Sequence, residues 1–126
     1  MFPRRRFRNS GRQNDGKRFP RHLIYVRGFE CAIAGRLGHV CSGKIVAAHV
    51  DYAGGKGAGM KVSDAYTVPL CWAAHAEQTD VLAWPGFERK YGIDALAMSK
   101  EIARRSPAII EAAREAGHNV GMEYGE

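Results

Sequence analysis

The sequence predicts an α+β domain preceded by a flexible basic arm, and three observations carry that reading. Lys44-Ile45-Val46-Ala47-Ala48-His49-Val50 is a compact apolar run with β-branched residues at both ends, which favours a strand. Gly54, Gly55, Gly57 and Gly59 fall close together and rule out a regular element there. From Leu70 onward the composition turns helical, with helix-start signals at Asp94 and at Ser106-Pro107.

In chain order, residues 1–21 read as the arm, rich in Gly, Pro, Asn, Ser and charge and without periodicity. Residues 22–126 read as one domain, a length that supports one modest core. His22 to Val26 suits a short helix or strand. Cys31-Ala32-Ile33-Ala34 is a brief apolar stretch that predicts a strand turning at Gly35. Turn residues fill 36–43, and the strand over Lys44–Val50 follows. The loop Asp51–Lys61 lacks the G-K-[ST] signature of a phosphate-binding Walker loop, although its glycines and lysines suit close approach to a phosphate.

Ser63-Asp64 reads as a turn or capping pair, and Thr67-Val68-Pro69 as a short extended segment. Leu70 to Gln78 is expected to be helical, Trp84-Pro85-Gly86 to break the chain, and Phe87 to Tyr91 to form a helical turn. Asp94 caps a helix running to about Arg104. Ser106 and Pro107 start the last helix, which is expected to end at Gly117 as a C′ glycine. These C-terminal helices are expected to pack on the sheet.

Charge is unevenly spread. Arg4, Arg5, Arg6, Arg8, Arg12, Lys17, Arg18 and Arg21 face one acid, Asp15, so residues 1–22 carry +7 of a total of +6 and the remainder sums to −1. An arginine-rich arm suits polyanions, because guanidinium forks match phosphates. Phe2, Phe7 and Phe19, set among the arginines, can stack on unpaired bases. No apolar run reaches the ~18 residues of a membrane span. No apolar stretch follows the basic N-terminus, as a secretory signal would require. Three irregularly spaced cysteines fit a reducing compartment, and the cytoplasm of a bacterium or phage-carrying cell is the expected location.

The chemistry-bearing residues lie on either side of the glycine loop. His49 closes the strand. Cys71, His75 and Thr79 recur every four residues and are expected to share one helical face. A histidine leaving a strand can serve as a base, and one on a following helix can hold a metal beside it.

At these residues the chain resembles the HNH (His-Me finger) endonucleases, whose core is a ββα-metal unit. The match runs through Ala48-His49-Val50, Asp64, and Leu70-Cys71-x-x-Ala74-His75-x-x-Gln78-Thr79. It is more similar still to small phage and prophage nucleases of the recombination-enhancement (Ref-like) type. The motifs for this are Cys31-x-x-Ala34-Gly35, Ala48-His49-Val50, Gly57-x-Gly59-x-Lys61-x-x-Asp64, Pro69-Leu70-Cys71-x-x-x-His75-x-Glu77-Gln78 and Phe87-x-x-x-Tyr91-Gly92-Ile93-Asp94, in that order over residues 22–103.

The resemblance implies a metal-dependent DNA endonuclease of phage or prophage recombination. His49 would be the general base, and His75 a metal ligand or phosphate-side stabiliser. Asp64 would be an accessory ligand or would orient the base, and Asp51 is a further candidate ligand. Arg4, Arg5, Arg6 and Arg8 of the arm, with Lys56 and Lys61 of the loop, are expected to contact DNA, single- or double-stranded. A recombinase or other recombination protein is a candidate partner. Because Mg²⁺ keeps its waters and needs few protein ligands, Mg²⁺ or Mn²⁺ is favoured over Zn²⁺ as cofactor.

Two departures qualify the resemblance. Many relatives hold a structural zinc with two C-x-x-C pairs, and here the second member of each pair is alanine: Ala34 after Cys31, and Ala74 after Cys71. No structural zinc is therefore expected, and a substitute set of Cys31, His39, Cys41 and Cys71 has poor ligand spacing. Ala48 stands where related sites carry a metal-binding Asp or His, and Thr79 where close relatives carry a third His. The competing expectation is a degenerate HNH fold that binds DNA without cleaving it.

Overall fold

The computed structural model describes residues 18–53 and 62–119, with the backbone alone for 117–119. The protein is an α+β chain. Helix α1 spans Pro20–Arg27, with its proline in the first turn, where no backbone N–H is needed. A single 3₁₀ turn covers Arg36–Gly38. Strands β1 (Ile45–His49) and β2 (Thr67–Cys71) form an antiparallel pair with Ile45 opposite Cys71 and His49 opposite Thr67. Helix α2 (Trp72–Ala76) leaves β2 directly and widens into a π-helical turn over Glu77–Leu82. Helices α3 (Ala83–Tyr91), α4 (Ala95–Arg105) and α5 (Pro107–Asn119) complete the order.

All five β2 residues are buried, because α1, α2 and α4 close around the strand pair. Pro69 pairs with Ala47 and is tolerated because each member of a two-stranded sheet has an open edge. Its carbonyl accepts the Ala32 N–H at 2.8 Å, which ties the segment before β1 to that edge. Val26, Ile33, Val50, Val68, Leu70, Trp84 and Phe87 fill the core.

Several boundaries differ from the sequence expectation. Cys31–Ala34 is a turn, not a strand: apart from the Ala32 N–H on Pro69, its bonds are local, Ala34 N–H to the Cys31 carbonyl and, just beyond, Arg36 N–H to the Ile33 carbonyl. Leu70 and Cys71 belong to β2, so the helix begins at Trp72. Trp84-Pro85-Gly86 does not break the chain. It lies in the first turn of α3, where a proline costs no hydrogen bond. The discontinuity falls just before, at Ala83, whose φ of 57° and ψ of 173° occupy a region normally reserved for glycine. Asp94 caps α4 as expected, its carboxylate accepting the Ala97 N–H at 3.0 Å. Helix α5 runs past Gly117 to Asn119. The chain also engages the domain ahead of the expected boundary at residue 21, through Arg18 and Phe19.

His22 on α1 is fully buried. Its Nδ1 lies 2.8 Å from the Ser106 hydroxyl between α4 and α5, and its Nε2 has no partner among the described residues. Burial lowers its pKa, and the Asp64 charge opposes this only partly. The folded chain therefore resists protonating His22, whereas the unfolded chain accepts a proton near its ordinary value of about 6.5. The sign follows: stability holds above about pH 6.5 and declines on acidification, by up to about 1.4 kcal/mol per pH unit until the lowered folded pKa is passed. Thermal melts between pH 5 and 8 should show this slope in the wild type and a flatter one in His22→Leu.

Candidate active site and metal centre

β1 ends at His49, whose side chain is 42% exposed beside an almost buried Asp64. The Nε2 of His49 lies 2.9 Å from Asp64 Oδ1. A carboxylate only accepts, so Nε2 carries the proton and Nδ1 is the basic nitrogen. The rest of the carboxylate is also engaged. Oδ1 lies 3.5 Å from an Arg18 guanidinium nitrogen, and Oδ2 accepts the Phe19 N–H at 2.8 Å. The local turn fixes Asp64 further: its carbonyl accepts the Thr67 hydroxyl, and the Ser63 hydroxyl accepts the Ala65 N–H. From below, the Trp84 indole N–H donates to the His49 carbonyl at 3.0 Å.

His49 opens onto a cleft of about 760 Å³, which also holds Asp51, His75, Gln78, Thr79 and Glu88. His75 reaches it from α2, Thr79 from the π-helical turn, and Ala83 and Trp84 from the strained junction with α3. Strain and a π-helical turn at a cleft wall are features that concentrate at functional sites. One Glu88 oxygen accepts both the Tyr52 hydroxyl at 2.5 Å and the Ala95 N–H at 2.7 Å.

The candidate residues thus separate into groups. His49, His75 and Asp51 share the cleft. Asp64 sits behind His49, with both of its carboxylate oxygens already engaged by His49, Arg18 and Phe19. His75, Asp64 and Asp51 do not converge as a ligand set among the described residues. Ala48 is 1% exposed in the core, so nothing compensates at that position. Arg4, Arg5, Arg6, Arg8, Lys56 and Lys61 lie outside the described residues. Arg18 and Phe19 as partners of Asp64, and Glu88 and Tyr52 at the cleft, are not legible in the sequence, whereas Gln78 falls within the motif that holds His75.

Cys71 departs from the expected face. As the N-cap of α2 it has an extended backbone, so it diverges from His75 and Thr79. Its sulfur accepts the Ala74 N–H at 3.4 Å and lies 3.4 Å from His39 Nε2. Burial alone raises this thiol. Hydrogen bonds from the Ser42 and Ala74 backbone, and from the His39 and Cys41 side chains, outweigh it and hold Cys71 down at about 6. Around it gather Cys31, His39 and Cys41, and the four ligand atoms lie within 4.8 Å of one another. This Cys/His cluster could hold a metal ion. The absence of zinc was expected from Ala34 and Ala74; the fold brings in donors from the 39–41 turn instead.

Comparison with protein-family models, curated proteins and solved structures finds no match to this chain. No helix among the described residues is long and apolar enough to cross a membrane.

Proposed function

We propose that the chain is a metal-dependent DNA endonuclease of HNH type, in which β1, β2 and α2 form the ββα-metal core. The observation that carries this reading is the His49–Asp64 pair at the rim of a cleft that His75 and Asp51 also line. With Nε2 held by Asp64, His49 Nδ1 takes the proton from a water attacking phosphorus. His75 and Asp51 would hold a divalent cation, Mg²⁺ or Mn²⁺, largely through its waters. Such an ion neutralises charge on the leaving oxygen. The arginines of residues 4–8 and the loop lysines would grip the phosphate backbone, and a phage or prophage recombination protein would deliver the substrate.

The test is cleavage of plasmid and single-stranded DNA by the purified chain with Mg²⁺ or Mn²⁺. Expected are metal-dependent nicks, abolished by chelator. A second reading, a degenerate fold that binds DNA without cutting it, is favoured by one observation: Asp64 is already occupied and Ala48 is core, which leaves few ligands in the cleft. Salt-dependent binding with no cleavage in any metal would select it.

A further inference from the structure

The 39–43 turn is built against the start of α2. Gly43 has φ of 86°, and a Cβ there would stand 2.5 Å from the Trp72 Cβ, so the turn is pressed onto the helix. The Ala73 N–H donates to the Ser42 carbonyl at 3.1 Å, which fixes the turn to the same helical end. This places Cys41 and His39 beside the N-cap sulfur of Cys71. Cys31 arrives from the turn after α1, held by the bond from Ala32 N–H to Pro69.

We infer that Cys31, His39, Cys41 and Cys71 form a closed, four-coordinate zinc site that staples the α1–β1 connection to the β2–α2 junction. The donor set is what zinc selects: three soft sulfurs and one imidazole. Zinc–sulfur bonds of about 2.3 Å and zinc–nitrogen bonds of about 2.0–2.1 Å put tetrahedral donors roughly 3.5–3.8 Å apart. A cluster already within 4.8 Å needs a contraction of at most about 1.3 Å to close. The surroundings also match an outer shell. The Ala74 N–H points at the Cys71 sulfur, and the Tyr91 ring stands edge-on to His39 with centroids 6.1 Å apart. Tyr91 is itself fixed by its hydroxyl on Glu77 and by Arg36 on its carbonyl.

No ligand comes from position 34 or 74. With all four positions protein-filled, the site leaves no place for a substrate, so its role is structural. It fixes the origin of α2, and with it His75 one turn further on. The inference does not depend on DNA cleavage.

The experiment is metal analysis of the untagged full-length chain after passage over a chelating resin, followed by replacement with Co²⁺. About one zinc per chain is expected, and cobalt should give the intense visible and thiolate charge-transfer bands of a tetrahedral, three-sulfur site. Removing zinc with a strong chelator should lower the melting temperature. Cys41→Ser, at the exposed member of the set, should bind zinc at least about tenfold more weakly. His49→Ala should keep its full zinc content, which separates this site from the cleavage reading. A wild-type chain that carries no zinc and gives only the spectrum of hydrated cobalt would overturn the inference, as would Cys41→Ser binding zinc as tightly as wild type.

Discussion

His49→Ala is expected to lower DNA cleavage by about 10²- to 10⁴-fold, the usual contribution of a positioned general base, while leaving the fold intact. The fold should survive because the His49 ring is part-exposed and its structural bonds run through the backbone. Its carbonyl takes the Trp84 indole N–H, and the neighbouring Val50 N–H donates to the Tyr66 carbonyl at 2.9 Å. Asp64 would keep Arg18 and the Phe19 N–H as partners. Asp64→Asn tests the same geometry from behind. An amide can present its NH₂ to Nε2 and stabilise the wrong tautomer, so the ring remains in place but Nδ1 is no longer free to take a proton. That variant should lose cleavage with little change in DNA affinity. The readouts are single-turnover cleavage, filter binding and circular dichroism. Wild-type cleavage by His49→Ala would exclude His49 as the base.

What the sequence made legible was governed by local chemistry. The β1 strand, the Asp94 cap and the Ser106-Pro107 restart follow from β-branching, an N-cap carboxylate and a proline at N1, and each is found within a residue or two. His49 and His75 reach a shared cleft because a strand end and the following helix bring them there. What could not be read depends on contacts far apart in sequence. The Phe19 N–H meets Asp64 forty-five residues away, so a carboxylate that looked available to a metal is taken. Helical spacing places Cys71 with His75, but the chain is still extended at that residue and turns its sulfur toward Cys31. His39 and Cys41 looked badly spaced because spacing along the chain says little about a turn pressed against a helix end. Trp84-Pro85-Gly86 carries the composition of a break, but in a first helical turn the same residues cost nothing.

Trp84 carries the largest expected effect on stability. Trp84 is 2% exposed, packs edge-on against Phe87 with ring centroids 5.8 Å apart, and forms part of the cleft wall. Trp84→Ala should cost about 3–5 kcal/mol, through lost burial and an unfilled cavity. In a domain of this size that shift lowers the melting temperature by more than about 12 °C. It is a large part of the roughly 5–15 kcal/mol that holds such domains folded. Trp84→Phe separates packing from hydrogen bonding. It keeps most of the apolar bulk but leaves the His49 carbonyl without its donor, which should cost about 1–3 kcal/mol. Urea denaturation of both variants measures the two terms. If Trp84→Phe is as stable as wild type, the indole N–H contributes nothing and the strand end beneath His49 is held by packing alone. If it is destabilised and cleavage falls with it, Trp84 both supports the core and sets the height at which His49 meets the cleft, through its indole N–H on the His49 carbonyl.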